Sequence, residues 1–254
     1  MHVHSFGEVA HTYDAIAGQY RKTKHLALQD QVNRYTLFQL AGDLSGKNVL
    51  DLACGEGHYT RMLKEAGACR TLGVDISPAQ IQRALEVEKS EPTGCRYRVA
   101  DVSDLNFDCQ FDLATGVYLL NYASSRAQLL SLCQAIANAL KPGGKFIGIN
   151  TNMALDPRHY DSYRKYGHRL SSPTRRAEGD VIGVHLNKPD GTEVSFDNYY
   201  LSPKTYEAAF KEAGFQSFEW VSPMVSPEGK AARESGYWDT LLRRPPMIFI
   251  KAVR

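Results

Sequence analysis

No stretch of the 254-residue chain approaches the ~18 to 20 consecutive apolar residues that a bilayer-spanning helix needs. The first residues also lack the apolar centre of a secretory signal, and a cytoplasmic location is expected. Cysteine is sparse: Cys54, Cys69, Cys95, Cys109 and Cys133 are odd in number and contain no C-x-x-C pair. That pattern excludes a disulfide framework and a zinc knuckle, and it predicts reduced, mostly buried thiols and no metal site. An excess of one charge is missing too. Thirty Lys and Arg against 28 Asp and Glu leave +2, without a basic stripe or tail, so neither nucleic acid nor a membrane surface is an expected partner. Internal repeats and low-complexity tracts are absent. With 43% hydrophobic and 23% charged residues the chain is not disordered, and its length suffices to bury roughly 70% of its unfolded surface without staples.

What is present is a regular alternation. Tyr13, Ile16, Ala17 and Tyr20 form one stripe of an opening helix, and a second helical run passes through Val32, Tyr35 and Phe38 to Asp43. Lys47 to Ala53 reads as a strand, C-G-E-G as a tight loop, and Tyr59, Met62, Leu63 and Ala66 as a helix face. The unit repeats with a strand over Thr71 to Ile76 and a helix capped by Ser77 and Pro78, whose face is Ile81, Ala84 and Leu85. Further strands are expected at Arg96 to Ala100, Phe111 to Val117 and Lys145 to Asn150, with a helix through Leu129 to Leu140 stopped by K-P-G-G. Such alternation predicts a parallel sheet covered by helices on both faces.

After Asn150 the composition turns to Tyr, Asn, His, Asp and Arg, and VIGVHL and TEVSFDNYY flank a K-P-D-G turn at 188 to 191. A loop plus an antiparallel hairpin is expected there. A last helix follows, with Ser202 as N-cap, Pro203 at its first position, Tyr206, Ala209, Phe210 and Ala213 on its face and Gly214 at its end. FQSFEWV and MIFIKAV complete the strands.

The loop V-L-D-L-A-C-G-E-G at 49 to 57 carries the chemistry, because Gly55 and Gly57 let the backbone pass close beneath a ligand at the carboxyl end of the first strand. A dinucleotide fingerprint would want a third glycine where Thr60 stands, and Asp51 and Glu56 are unfavourable beside a pyrophosphate. A nicotinamide-dependent oxidoreductase is therefore disfavoured. The acids suit a cationic nucleoside such as S-adenosylmethionine. Asp75 ends the second strand at the distance from the loop where a carboxylate accepts from a ribose diol. Asp101, in A-D-V, is placed to accept from an adenine amino group, with Val102 offering a backbone N–H and Ile76 covering a ring face. Each acid alone also suits a solvated cap or turn.

LDLACGEG, GVDIS, ADV and LKPGG, in this order and spacing over residues 45 to 150, resemble the class I S-adenosylmethionine-dependent methyltransferases. YDAIAGQY (13 to 20), YTLFQL (35 to 40), YLLNYA (118 to 123) and GINTNMALDP (148 to 157) are similar to the toxoflavin synthases, which N-methylate azapteridine intermediates. Ala53 stands where the family more usually has glycine. The resemblance implies a Rossmann-like α/β fold with a seven-stranded, mostly parallel sheet in a single domain. Its parts would be an N-terminal helical lid at 1 to 44, a cofactor core at 45 to 150, a substrate cap at 151 to 202, and the last helix and strands at 203 to 254. It implies S-adenosylmethionine as cofactor, S-adenosylhomocysteine as product and a small heteroaromatic acceptor for a monomer or homodimer. Cofactor contacts are expected from Asp51, Ala53, Gly55, Glu56, Gly57, Asp75, Ile76, Asp101, Val102 and Val117. Tyr13 and Tyr20 join them if the opening helix closes over the site, the alternative being two core tyrosines.

Methyl transfer needs alignment and exclusion of water more than a dedicated triad. Tyr118, Asn121 and Tyr122 follow the fourth strand, where the sulfonium should sit, and are first choices for acceptor contacts, with helix core the alternative for Tyr122; Tyr118 and Asn121 are the catalytic candidates. An amide in an apolar run should have a partner, and Asn121 can present both a donor and an acceptor. Asn150 and Asn152 are second choices beside a turn role. His159, His168 and His185 fall in the cap, where the outer two can act as a base or lie at the surface. Trp238, with Tyr237, is either a stacking wall or cover for the hairpin. Cys54 belongs to the loop and Cys133 to a buried helix stripe, so neither is read as a nucleophile. Methylation of another O, N or C acceptor, and a non-catalytic cofactor-binding module, are the competing readings.

Overall fold

The computed structural model describes residues 28–187 and 190–254. The opening helix with Tyr13 and Tyr20 lies outside the described residues, as do Lys188 and Pro189 of the K-P-D-G turn. A π-helical turn, Gln29–Arg34, leads into helix α1, Tyr35–Ala41. Then follow β1 (Asn48–Leu52), α2 (His58–Glu65), β2 (Arg70–Asp75), α3 (Pro78–Ser90), β3 (Arg96–Val99), β4 (Phe111–Val117), α4 (Arg126–Ala139) and β5 (Leu140–Thr151). A run of 3-10 turns, Pro157–Tyr166, precedes β6 (His168–Ser171), β7 (Val181–Asn187) and β8 (Glu193–Tyr199). The described chain finishes with α5 (Pro203–Glu212), β9 (Ser217–Val221), α6 (Pro227–Ala231), α7 (Asp239–Arg243) and β10 (Met247–Val253).

Seven strands form one sheet in the order β3-β2-β1-β4-β5-β10-β9, in which only β10 runs antiparallel to its neighbours. This is the expected Rossmann-like architecture. Its centre is dry: Leu50, Leu52, Ala114, Phe146, Ile147 and Ile149 have no exposed surface. Near-continuous apolar runs are what a strand covered on both faces requires, and each fully buried Leu, Ile or Phe contributes about 1.5 to 3 kcal/mol. The helices begin where the sequence says. Ser77 Oγ accepts from Gln80 N at 3.1 Å with Pro78 in the first turn, and Ser202 Oγ accepts from Thr205 N at 3.3 Å with Pro203 in the same place.

Three details differ from expectation. Leu85 is 45% exposed, because α3 buries only the narrow stripe of Gln80, Ile81 and Ala84 and Leu85 sits at its margin. K-P-G-G ends α4 but does not separate it from the next strand: β5 already pairs at Leu140, and an irregularity between Phe111 and Leu113 of β4 takes up the slack. Between 151 and 200 the hairpin β7–β8 forms as expected, but β6 adds a third strand and the preceding segment is ordered as 3-10 turns. Tyr160, Tyr163 and Tyr166 explain the turns, since a three-residue repeat places them on one face and all are buried. Across the small sheet Ile182, Val184 and Leu186 are buried, whereas Gly183 and His185 lie on the opposite, more open face.

Candidate active site

Parallel β1, β2, β4 and β5 bring their carboxyl ends to one edge, and strand order reverses between β1 and β4. A crevice opens at such a reversal. The loop leaving β1 bends through left-handed backbone at Ala53 (φ 53°), Gly55 (φ 55°) and Gly57 (φ 79°). At Ala53 a side chain is held where only glycine is comfortable, at a cost of about 1 to 2 kcal/mol. Gly57 is fixed for a second reason: a Cβ there would lie 2.5 Å from the Tyr97 hydroxyl. Tyr97 reaches across from β3 to support the loop, and Arg61 spans the same region, donating to Glu56 O at 2.8 Å and to the Tyr97 hydroxyl at 3.4 Å.

The acids divide by role. Asp51 is 2% exposed and accepts from the Thr115 hydroxyl at 2.8 Å and the Thr60 hydroxyl at 2.7 Å. Thr60, which breaks the dinucleotide fingerprint, thus anchors the carboxylate beneath the loop. Asp75, 8% exposed, accepts from Gly55 N at 2.8 Å and Ser77 N at 2.9 Å, tying the loop to the start of α3. Asp101 caps the turn Val102–Asp104, taking Ser103 N at 2.8 Å and Ser103 Oγ at 2.7 Å on one oxygen. Ala100 N donates to Asp75 O at 3.0 Å, so the second and third acids are adjacent. Glu56 is buried within the loop, Ile76 is half-buried, Val102 is buried and Val117 is half-buried. The field here is negative: burial, then the charges of Asp51 and Asp75, push the Cys54 thiol well above its ordinary range. A sulfonium and a ribose diol fit this donor-poor, carboxylate-lined edge; a diphosphate does not.

Beyond β4 the backbone is again left-handed at Tyr118 (φ 60°), rare for a bulky residue. Tyr118 N donates to Ile149 O at 2.7 Å, and its hydroxyl accepts from Asn33 Nδ2 at 2.9 Å, a residue of the π-helical turn. Asn121 is wholly buried; its Oδ1 accepts from Thr151 N at 3.1 Å, while Nδ2 has no partner among the described residues. Asn198, on β8, donates to Thr151 Oγ1 at 3.1 Å, and its own Oδ1 is unpaired among the described residues. Asn150 is buried as well, with its side chain beside the Tyr206 hydroxyl. Tyr122 is half-buried beside them.

Other expected residues are placed elsewhere. Asn152 serves its loop, donating to Pro245 O at 2.9 Å and accepting from Ala154 N at 3.1 Å. His185 lies on the outward face of the three-stranded sheet, between Ser171 Oγ (2.9 Å) and Ser195 Oγ (2.8 Å). His168 is buried on the other face, and burial, then the nearby His185, pushes its pKa down to about 4, so its ring is neutral. His159 follows the Asp156 cap in the 3-10 run. Trp238 is 5% exposed, stacks on Tyr166 with ring centroids 5.4 Å apart and donates its indole N–H to Gly229 O at 2.9 Å, while Tyr237 meets it edge-on. Tyr97, Thr115, Asn198 and Gln80 escaped the sequence reading. Only Gln80 carried a local signal, the S-P-A-Q pattern of a capping box. All five cysteines are free, no His, Cys, Asp and Glu grouping suited to a metal occurs among the described residues, and no helix among them is long and apolar enough to cross a membrane.

Residues 49–144 match a family described as a methyltransferase domain. A ubiquinone biosynthesis O-methyltransferase of Coxiella burnetii is 36% identical over 167 residues, covering 57% of this chain and 69% of the relative. Its counterpart from Acinetobacter baylyi is 32% identical over 186 residues, covering 64% and 74%. The crystal structure of an S-adenosylmethionine-dependent methyltransferase from Mesorhizobium loti shares the fold, with a TM-score of 0.62 and 21% identity over 91% of this chain and 100% of that one. A doubly wound sheet, strand-end carboxylates at its reversal point and these relatives agree, and the chain belongs to the class I S-adenosylmethionine-dependent methyltransferases.

Proposed function

We propose that the enzyme methylates a ring nitrogen of a small planar heteroaromatic acceptor, an azapteridine in reactions of the toxoflavin type. When bound, S-adenosylmethionine supplies an electrophilic methyl group on sulfur. Asp75 holds the ribose, Ile76 and Val102 enclose the adenine, and Asp101 accepts from its amino group. Gly55 and Gly57 allow the backbone of the loop to lie against the amino-acid portion, with Asp51 fixing the loop from below. Val117 and Tyr118 then border the methyl group, and residues 151 to 202 cover the acceptor and keep water out.

The observation that carries this reading is Asn121. It lies just past the end of β4, is fully buried, and keeps an N–H donor without a partner among the described residues. Leaving a buried donor unmade costs about 1 to 3 kcal/mol, a burden that makes sense for a group that meets a ligand. An amide that donates to one heteroatom of a planar ring fixes which lone pair faces the methyl group, and Tyr118 and Tyr122 offer aromatic surface for that ring. Asn150 is the next contact in this scheme.

A phenolic oxygen is the second reading, favoured by the two relatives named for O-methylation in ubiquinone biosynthesis. Incubation with methyl-labelled S-adenosylmethionine and a panel of azapteridines and hydroxylated aromatic rings, followed by mass spectrometry and NMR location of the label, separates the two. Label on a ring nitrogen is expected; label only on oxygen selects the second reading. In the same assay Asn121→Ala should lower kcat/KM for the acceptor about 5- to 100-fold while S-adenosylhomocysteine binding is unchanged.

A further inference from the structure

Gln80 occupies the third helical position of α3, where a Ser-x-x-Gln sequence normally closes a capping box: the serine accepts from the glutamine's backbone N–H, and the glutamine side chain returns to the serine's N–H. Only half of that box exists. Ser77 Oγ accepts from Gln80 N at 3.1 Å, but Ser77 N donates instead to Asp75 Oδ1 at 2.9 Å. The Gln80 amide is thereby displaced from its ordinary partner. The residue is only 5% exposed, and its Oε1 lies 3.9 Å from where a Cβ on Gly55 would be. No hydrogen bond joins that amide to any of the described residues. A nearly buried amide beside the cofactor loop, with its capping role taken by a carboxylate, is available to a partner outside the protein.

We propose that Gln80 reads the ribose diol of the cofactor together with Asp75. Asp75 accepts only, and one bond to each of its oxygens already comes from Gly55 N and Ser77 N. A carboxylate cannot donate to a hydroxyl oxygen, whereas an amide both donates and accepts. Two vicinal hydroxyls between these side chains donate to Asp75 and accept from Gln80, so the pair distinguishes a nucleoside with a complete diol from one lacking a hydroxyl. Asp75 and Gln80 flank the same residue: Gly55 N donates to Asp75, and a Cβ on Gly55 would lie 3.9 Å from Gln80 Oε1. This inference rests on the reading of Asp75 as the ribose carboxylate.

The test is calorimetric titration of the wild-type chain, Gln80→Met and Gln80→Glu with S-adenosylhomocysteine and with its 2′-deoxy and 3′-deoxy analogues. Methionine keeps the length and removes the amide; glutamate keeps an acceptor and removes the donor. Both variants should bind S-adenosylhomocysteine about 3- to 10-fold more weakly with unchanged unfolding midpoints, and the loss should disappear for one of the deoxy analogues. Equal affinity of wild type and Gln80→Met overturns the proposal, as does a loss of the same size for all three ligands. Should Gln80→Met fail to fold, the wild-type protein still decides: equal binding of the three ligands rejects a diol reader. If Asp75→Ala alone abolishes discrimination while both Gln80 variants retain it, Asp75 reads the ribose without Gln80. Absence of any S-adenosylhomocysteine binding by the wild type overturns the cofactor pocket itself.

Discussion

The two halves of the proposed site satisfy their polar groups in opposite ways. On the cofactor side Asp51 and Asp75 each accept two short hydrogen bonds from hydroxyls or backbone N–H groups of the protein. On the proposed acceptor side Asn121 and Asn198 are buried with polar atoms that no described residue meets. A group already held by its own chain is pre-organised and tolerates little change, because several contacts shift together. An amide awaiting a ligand is set by that ligand's shape. Within one fold the first half can therefore persist while the second is adapted to new acceptors.

The largest effect that would break this contrast is expected from Asp51→Ala. It strands the hydroxyls of Thr60 and Thr115, both without exposed surface, and should lower stability by about 3 kcal/mol or more in urea unfolding. A variant as stable as the wild type would mean that the loop needs no carboxylate beneath it. Acid should act on the three-stranded sheet at similar size. His168 has a folded pKa of about 4 against an ordinary 6.5, so the unfolded chain binds more protons between these values. Its contribution is complete above pH 6.5 and is lost as pH falls towards 4, reaching about 3 kcal/mol. Urea midpoints measured across that window should flatten in His168→Leu; a slope identical to the wild type would show that the buried ring is not responsible.

Smaller changes sharpen the comparison. Asp75→Ala should weaken S-adenosylhomocysteine binding by about 1 to 3 kcal/mol in calorimetry, and unchanged affinity in a folded variant would remove the ribose role. The least effect, and of opposite sign, is expected from Ala53→Gly. Relief of left-handed strain exceeds the added chain entropy of glycine, so thermal unfolding should register up to about 1 kcal/mol of added stability. A lower melting temperature would show that the Ala53 methyl group contributes packing worth more than the strain.

The sheet and its loop were legible because their causes are local. Apolar runs at Val49 to Leu52 and Phe146 to Ile149, and Ser-Pro starts at 77 and 202, need no knowledge of distant residues. The third cap strand was hidden by its brevity, since H-R-L-S offers one aliphatic residue. The 3-10 run was hidden by its period, because tyrosines at every third position fit neither helix nor strand counting. Within the site, strand-end acids could be found by position, but what holds them could not. Thr115 reaches Asp51 across 64 residues, and Tyr97 meets Gly57 only through the adjacency of β2 and β3. Gln80 shows the same limit at short range: S-P-A-Q announces a closed box, and only the competing carboxylate of Asp75 reveals that it is open.

The bond from Asn198 to Thr151, continued by Thr151 N to Asn121, bears on engineering. It marks the suture along which one cap could be exchanged for another. A chimera that imports a foreign segment at 151 to 202 but loses the asparagine would leave the tip of the fifth strand without its clasp. Grafts that carry both ends of this junction should fold with the new specificity attached, and libraries aimed at other acceptors are best diversified around it while the junction itself is kept.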